Sequence, residues 1–426
     1  MYDIKTLEYQ KILSKLGTYA KTNYAKNKIM GMIPYDDFDE IQKSLFQTSE
    51  AYQAIVKLDD IPLGGLFEIK EALERSRIGG ILNESELLNV VGLLDCSNNV
   101  LKYFKFVLNT NTCLDHLKEF IDEIEIPQAL KTNITLAITP DGKVSDNASR
   151  ELFVIRRSIA SLENRLRSKL NELLVTQASM LTESLIVIRD GRMCLPVKIE
   201  YKNTFKGVVH DISSSNTTCY IEPLTCLETS NQIESYQANE KKEILTILKN
   251  LSLLVASDAD SLLKNLEALT SLDIIYAKAL MAKELDYNEI KIENSQCFAI
   301  KKAKHPLIDK DKVVPIDIDL GKKNDVIIIT GPNTGGKTVA LKTVGLLHMM
   351  VYSGMFVPAD SESVFGYFDN VFVDIGDEQS IEQSLSTFSS HMTKIVNIIN
   401  QITFQSLVLV DELGSWTDPK EGSSLA

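Results

Sequence analysis

The stretch from 325 to 344 constrains the fold more than any other part of the sequence. It opens with an apolar, β-branched run, Asp325–Thr330, which predicts a buried strand. The residues that follow fit the pattern G-x-x-x-x-G-K-[ST] at every fixed position: Gly331, Pro332, Asn333, Thr334, Gly335, Gly336, Lys337 and Thr338. A helical segment comes next, at 339–344. Strand, loop and helix in this order predict a phosphate-binding loop within an α/β domain.

The chemistry of phosphate binding explains these residue types. Glycines let backbone N–H groups wrap phosphate oxygens at a helix N-terminus, where the helix dipole favours negative charge. Lys337 is then placed to reach the β and γ phosphates, and the Thr338 hydroxyl to ligate Mg²⁺. The sequence therefore predicts that the eight loop residues bind ATP together with Mg²⁺.

A second apolar strand, Ser406–Val410, ends in two carboxylates farther along the chain. We expect Asp411 to hold the metal through water and Glu412 to polarise the attacking water. Such paired acids distinguish nucleotide hydrolysis from binding alone. An ordinary exit from strand to loop is the alternative, but the preceding phosphate loop favours the catalytic interpretation.

Two long amphipathic helices are predicted upstream. In the first, from Asp146 to about Leu174, apolar residues recur mostly at steps of three and four, at Leu152, Ile155, Ile159, Leu162, Leu166, Leu170 and Leu173. In the second, from about Ser230 to Leu285, a heptad phase is kept by Ile244, Leu248, Leu251, Val255, Leu262 and Leu269. We expect the two helices to pair antiparallel. A seam of this kind is most often that of a structural coiled-coil arm, so it does not by itself indicate a function.

Between the two helices the hydrophobic period becomes that of strands. Strands are predicted at Leu185–Ile188, Cys194–Tyr201, Gly207–Ile212 and Thr217–Ile221, and Asp190-Gly191 is typical of a type I′ hairpin turn. A small β domain is therefore expected at the tip of a helical hairpin.

This β region is the expected contact with nucleic acid because it carries a group of basic side chains: Arg189, Arg192, Lys198, Lys202 and Lys206. The whole chain has 45 basic against 58 acidic side chains, a net charge of -13. That balance is unlike a small nucleic-acid binder, yet a long chain can hold a local basic surface inside a negative total. A solvated charged face is the alternative that charge alone leaves open.

Length and composition exclude several classes of protein. A chain of 426 residues exceeds what one hydrophobic core usually organises, so two or more domains are expected. No stretch approaches the ~20 apolar residues of a membrane-spanning helix, and the N-terminus lacks the pattern of a secretory signal. A cytoplasmic protein without a membrane partner is expected. The six scattered cysteines lack metal-ligand spacing, which predicts reduced and mostly buried thiols.

Four segments together resemble the ATPase of the MutS mismatch-repair family, relatives of the ABC ATPases. They are the loop 331–338, the segments Asp374–Ser380 and Ser384–His391, and the acidic strand end at 411–412. The form of the two middle segments resembles one branch, the second bacterial MutS paralogue, often called an endonuclease type of MutS. The resemblance extends to Gly207–Asp211 in the β region and to Lys304–Ile308, so it covers essentially the whole chain.

The resemblance implies a multidomain α plus α/β architecture. Its expected parts are a helical core and lever (1–143), a lever helix (144–182), a β-rich clamp (183–229), a returning lever helix (230–290) and a P-loop, ABC-type ATPase domain (291–426). An ABC transporter ATPase is disfavoured, because the long helices and the β tip precede the phosphate loop.

The resemblance also implies partners and an activity. Members of this branch dimerise through the ATPase domain, and Ser386 would then face the γ-phosphate held by Lys337 of the other copy. A simple helix N-cap is the alternative role for Ser386. The implied function is an ATP-driven clamp on nucleic acid that restrains recombination by binding branched DNA, or rescues collided ribosomes by splitting them, or does both. A fragment that binds nucleotide and dimerises without turnover is the alternative.

Several departures from the family pattern qualify these expectations. The chain ends at Ala426, before the remaining strands of such an ATPase, so a truncated ATPase domain is expected, and the family's small nuclease domain has no counterpart. Trp416 stands where the family carries glycine, in a loop that approaches the partner. The literal match to the mismatch-reading Phe-x-Glu motif, Phe38-Asp39-Glu40, lies in an acidic helix start, where repulsion from phosphates opposes a DNA wedge.

Overall fold

A computed structural model describes residues 2–110, 112–331, 335–375 and 384–411, and for 384–391 it describes the backbone alone. The contacts divide the chain into two compact units. Unit 1 combines Met1–Glu68, Gly92–Ile126 and Ser261–Ala426, and unit 2 combines Ile69–Val91 and Pro127–Asp260. Each unit is built from separated stretches of chain. The linear domain boundaries and functional labels expected from the sequence stay predictions.

Helices dominate the described chain up to residue 285, apart from the β region. The α-helices of the whole described chain are α1 (Tyr9–Gly17), α2 (Asn23–Met30), α3 (Phe38–Lys57), α4 (Lys70–Arg77), α5 (Glu84–Asn109), α6 (Lys118–Asp122), α7 (Gln128–Ala137), α8 (Arg150–Thr176), α9 (Leu224–Leu285), α10 (Lys337–Tyr352) and α11 (Ser384–Gln401). The acidic helix start at Phe38 has Asp37 as its N-cap, and the carboxylate of Asp37 accepts two backbone N–H groups.

The strands are short and fall into three sheets within the described ranges. They are β1 (Val187–Arg189), β2 (Arg192–Lys198), β3 (Gly207–Ile212), β4 (Thr218–Pro223), β5 (Lys291–Glu293), β6 (Phe298–Ala303), β7 (Ile316–Leu320), β8 (Val364–Gly366), β9 (Asn370–Asp374) and β10 (Ser406–Val410). Unit 2 holds an antiparallel sheet in the order β1-β2-β4-β3. Unit 1 holds a sheet in the order β5-β8-β6-β7 and the parallel pair β9–β10.

The predicted antiparallel helix pair is confirmed within unit 2. Arg156 Nε of α8 donates to Glu240 of α9 at 2.7 Å, and Ser149, the N-cap of α8, donates to Glu243 at 2.8 Å. The partner number falls as the α8 number rises along these contacts and the one between Lys169 and the carbonyl of Thr225. α9 begins earlier than expected, directly after β4, so the sheet joins the returning helix without a linker.

The β region at this end of the helix pair also follows the sequence. Arg189 pairs with Arg192 across a two-residue loop, in which Asp190 (φ 48°) and Gly191 (φ 75°) both have the positive φ that a type I′ turn requires. The sheet buries one face against the helices, in a core formed by Leu166, Leu170, Leu195, Val197 and Ile221. A small β domain therefore closes the helical hairpin, as predicted.

Unit 1 is organised around α10. Every residue of this helix from Thr343 to Tyr352 is buried, against α1, the larger sheet and the strand pair. Such an all-round apolar helix belongs inside a domain. The sequence predicted helix from residue 339, and the helix begins at Lys337, directly after the loop.

The predicted buried strand at 325–330 is wrong. These residues form no strand, and the side chains of Val326 and Ile328 are 73% and 82% exposed. An apolar run becomes a buried strand only where a sheet edge and a covering layer receive it. In the described chain β10 has only β9 as a ladder partner, and 325–330 joins neither strand.

The remaining expectations concern cysteines and membranes. All six cysteines are free thiols, and Cys96, Cys194, Cys219 and Cys226 are buried, which confirms the predicted reduced state. In the part of the chain that the structure describes, no helix combines the length and apolar character needed to cross a bilayer.

A buried lysine lies where α3, α9 and the turn after α10 meet. Lys278 on α9 is 2% exposed, and its Nζ donates to Ser44 Oγ at 3.1 Å, while no carboxylate of the described chain lies within ion-pair distance. Thr48, on the next turn of α3, donates to the carbonyl of Gly354 at 2.6 Å. A Cβ at Gly354 (φ 69°) would lie 2.0 Å from Ser44 Oγ, so only glycine fits. Burial lowers the pKa of Lys278 to about 7.

Replacing this lysine by an apolar side chain is expected to stabilise the protein in a pH-dependent way. The unfolded chain binds a proton at Lys278 up to a pKa of about 10.4, whereas the folded chain releases it above about 7. Wild-type stability therefore rises through this window, and the advantage of Lys278→Met, on the order of 1–3 kcal/mol at pH 7, should shrink by pH 10.

Urea unfolding of both proteins between pH 7 and 10 measures this difference. Lys283→Met, which removes an exposed lysine of the same helix, is the control and should give a pH-independent difference. A Lys278→Met advantage that stays constant over the window would contradict a neutral buried amine.

Candidate functional site

The predicted phosphate-binding loop leads directly into the start of α10. Gly336 is the N-cap residue with φ 80°, and its carbonyl accepts the Ala340 N–H at 2.9 Å. Gly331, at the other end of the loop, has φ 145°. A side chain would strain the backbone at both positions. The N-terminus of a helix presents backbone N–H groups and the positive end of the helix dipole, which together favour an anion.

Lys337 contacts the first residue of this segment. Its Nζ donates to the carbonyl of Gly331 at 3.0 Å, so the ammonium group and the helix N-terminus lie at the same end of α10. Pro332, Asn333 and Thr334 lie outside the described residues.

The two predicted metal ligands meet directly. Thr338, one residue into α10, donates from Oγ1 to Oδ2 of Asp411, which follows β10. Asp411 is held by its own backbone, because its N–H donates to the Asp374 carbonyl at 2.9 Å in continuation of the parallel β9–β10 ladder. Sequence positions far apart are thus brought to one edge of the strand pair.

These oxygens fit Mg²⁺ chemically. A hydroxyl and a carboxylate are hard ligands of the type Mg²⁺ prefers, and the metal ordinarily completes its octahedron with water and phosphate oxygens. The described residues contain no group of three or more His, Cys, Asp or Glu side chains that could hold a metal unaided. A metal here would therefore need a bound phosphate to complete its coordination.

Asp374 is a neighbour that the sequence analysis did not assign to the site. It ends β9 beside the end of β10, is fully buried, and has Lys394 Nζ 3.9 Å from its Oδ1. The same ammonium lies 3.2 Å from Asp3 near the N-terminus. The sequence feature that could have identified Asp374 is an acidic residue at the end of an apolar strand. The carboxyl ends of adjacent parallel strands lie at one edge of a sheet, so this residue would be expected near Asp411.

Other predicted residues fall outside this description. Glu412 and Trp416 lie outside the described residues, as does the side chain of Ser386. α11 begins at Ser384, so the backbone of Ser386 is within the first turn of that helix.

α10 packs closely against its neighbours at Gly345, two turns after the candidate site. At Gly345 an added Cβ would lie 2.7 Å from Leu7 Cδ2 and 2.8 Å from Leu409 Cδ1. The helix therefore packs directly between the N-terminal segment and β10, and this packing holds Thr338 opposite Asp411.

The basic residues of the β region divide into two kinds. Arg189 lies 4.2 Å over the ring of Tyr220 and 3.2 Å from Asp211, so its charge is already partly compensated. Arg192 is bonded to Asn231 at 2.9 Å and paired with Glu234. These two arginines stabilise the β region itself.

The three lysines of this region have fewer charged partners than the two arginines. Lys198 Nζ donates to the Ser179 carbonyl at 2.9 Å. Lys202 and Lys206 are exposed and have no ion-pair partner among the described residues. The part of the predicted nucleic-acid surface with free charge is therefore around these two lysines.

A buried carboxylate anchors the same sheet. Glu222 on β4 is 1% exposed, with its Oε2 2.8 Å from His210 Nε2 and its Oε1 3.5 Å from Arg192. A carboxylate removed from water needs such partners. Arg192 therefore contacts one buried carboxylate, Glu222, and one exposed carboxylate, Glu234.

Several known proteins are similar to this chain in sequence. The family model described as MutS domain V matches residues 327–426. The chain is 43% identical over 425 residues to a protein named Endonuclease MutS2 from Clostridium beijerinckii, a match over 99% of this chain and 54% of that protein. Proteins of the same name from Geobacillus sp. (strain WCH70) and Finegoldia magna are 40% and 42% identical, with the same coverage. The chain spans about half the length of these curated relatives.

Adding a side chain at Gly345 should weaken the packing of α10 and lower the stability of the protein. The Cβ in Gly345→Ala must displace Leu7 and Leu409 in a packed interior, and we expect a destabilisation on the order of 1–3 kcal/mol despite the better helix propensity of alanine. Urea unfolding measures it. Gly17→Ala, at a glycine with nothing within 4 Å of the added Cβ, is the control. Equal stability of wild type and Gly345→Ala would contradict the close packing.

Proposed function

Because the chain belongs to the MutS family, we propose that it binds ATP·Mg²⁺ at the phosphate loop and contacts nucleic acid through the β region of unit 2. The observation that carries the nucleotide part is the contact of the Thr338 hydroxyl with the Asp411 carboxylate. It places the helix after the loop and the acidic strand end together, which is the arrangement that a phosphate-bound metal needs.

The proposed roles follow from this arrangement. Lys337 binds the β and γ phosphates, Thr338 and Asp411 hold Mg²⁺, and Glu412 polarises the attacking water. Ser386 completes the site of a second copy, so that closure of a homodimer and hydrolysis are coupled. MutS domain V matches the segment that contains all of these residues.

The proposed nucleic-acid target is branched DNA, whose binding would restrain recombination, with the rRNA of collided ribosomes as the alternative target. Lys202 and Lys206 support this part, because their charges are exposed and not compensated by neighbouring acids. The relatives are named endonucleases.

A second candidate is nucleotide binding and dimerisation without turnover. It is favoured by the segment 325–330, which leads into the phosphate loop but lies exposed outside the β9–β10 pair. A catalytic phosphate loop ordinarily follows a strand that is fixed within the sheet. ATP binding without phosphate release by this chain would favour the second candidate over the first.

Loss of the loop lysine tests the nucleotide site. Lys337→Ala removes charge-assisted hydrogen bonds to phosphate and should weaken ATP·Mg²⁺ binding by on the order of 2–3 kcal/mol, which is roughly 30- to 150-fold. Calorimetric titration measures the affinity. Lys323→Ala, at an exposed lysine outside the loop, should bind as the wild type does. Unchanged affinity in Lys337→Ala would refute the proposed site.

Loss of the two free lysines tests the nucleic-acid surface. Each phosphate contact contributes about 0.9 to the slope of log K against log salt for duplex DNA. Lys202→Ala/Lys206→Ala should therefore lower that slope by up to about 1.8 and weaken binding at low salt. Binding to a four-way DNA junction and to 70S ribosomes, each titrated with salt, distinguishes the two targets.

The matched control is Lys26→Ala/Lys28→Ala, which removes two exposed lysines of α2 in unit 1. The same slope in both double variants and the wild type would exclude Lys202 and Lys206 from the contact.

A further inference from the structure

Unit 1 contains a second cavity that the proposed nucleotide site does not use. It has a volume of about 620 Å³ and is lined by the end of α9 and the loop after it, the end of β6, the stretch 304–310 and the loop at Pro358–Asp360. Of the loop residues that the structure describes, 331 and 335–338, none lines it. A volume of this size suits a small organic ligand.

The acidic side chains of the lining are already paired. Asp360 accepts from Lys302 at 2.9 Å, Asp286 lies 3.0 Å from Lys310, and Asp309 lies 3.4 Å from a lysine outside the cavity. These pairs balance most of the charge around the opening.

Two further lysines of the lining have no such compensation. Lys15, at the last turn of α1, is half-buried, and Lys304, just after β6, is exposed. Among the described residues neither ammonium group has a carboxylate within 4 Å. The charge left over in the cavity is therefore positive.

His305 lines the same cavity and adds a neutral donor. Its side chain is 8% exposed, and Nδ1 accepts the Leu307 N–H at 3.3 Å, which assigns the proton to Nε2. Burial, and to a smaller degree the charge of Lys342, lowers the pKa of His305, although Glu8 opposes the shift. The imidazole is thus an N–H donor at neutral pH rather than a third cation.

The rest of the lining is apolar apart from Asn288, whose Nδ2 donates to the Ala359 carbonyl at 2.6 Å. Tyr287, Leu285, Leu307 and Pro358 form much of the wall, and Tyr287 is itself 7% exposed. A fully hydrated inorganic ion would leave this surface without a partner, whereas an aromatic or aliphatic group would cover it.

We propose that this cavity binds a small organic phosphate, with the phosphate between Lys15, Lys304 and His305 and its apolar body against Tyr287 and Leu307. Ammonium groups and a neutral imidazole N–H are the donors that a phosphate dianion accepts from. The site is separate from the phosphate loop and does not depend on nucleotide binding there.

Calorimetric titration of the full chain with phenyl phosphate tests the proposal, because this probe joins an aromatic body to a phosphate. We expect saturable binding at least tenfold tighter than that of inorganic phosphate or phenol. Lys15→Ala and Lys304→Ala should each weaken it roughly five- to tenfold, while Lys26→Ala, at an exposed lysine of α2, should leave it unchanged.

Repeating the titration with Lys337→Ala separates the two sites. Unchanged affinity of phenyl phosphate in that variant assigns the binding to the cavity, whatever the outcome for ATP. Loss of binding in Lys337→Ala, no saturable binding in the wild type, equal affinity for phosphate and phenyl phosphate, or equal effects of Lys15→Ala and Lys26→Ala would each overturn the proposal.

Discussion

The burial of α10 is the constraint on which the rest of unit 1 depends. A helix that is apolar on all sides must be enclosed, and here α1, the larger sheet and the β9–β10 pair enclose it. Gly345 sets the distance of closest approach to Leu7 and Leu409. Because the helix cannot rotate or slide without breaking this packing, the core fixes the position of its N-terminus, where we propose that phosphate binds.

Hydrogen bonds from backbone N–H groups to buried carboxylates also hold the helical part of unit 1 together. Asp273 of α9 accepts the N–H groups of Lys21 and Thr22 before α2, and Glu50 of α3 accepts the N–H groups of His116 and Leu117 before α6. In each case a side chain far away in sequence satisfies the free donors of a short helix. These bonds fix short helices that would be unstable alone.

Local patterns predicted much of this structure. The heptad seam predicted α8 and α9, and Asp190-Gly191 predicted a turn with two positive φ values. The motif spacing also placed Thr338 opposite Asp411. The segment 325–330 failed because an apolar run reports a preference for burial and carries no information on the strand that must receive it. Charge counting likewise could not show that Asp211 and Glu234 neutralise Arg189 and Arg192, since those contacts depend on the tertiary fold.

The cluster of Ser44, Lys278 and Gly354 has a consequence for how the chain can evolve. Alanine at 44 would remove the hydroxyl that accepts from Lys278 Nζ, yet the Cβ of residue 44 would still lie 2.6 Å from a Cβ added at 354. A change at 278 would remove the need for that hydroxyl. Substitutions at the three positions are therefore epistatic: their effects on stability do not add, and the order in which they arise decides which intermediates remain folded.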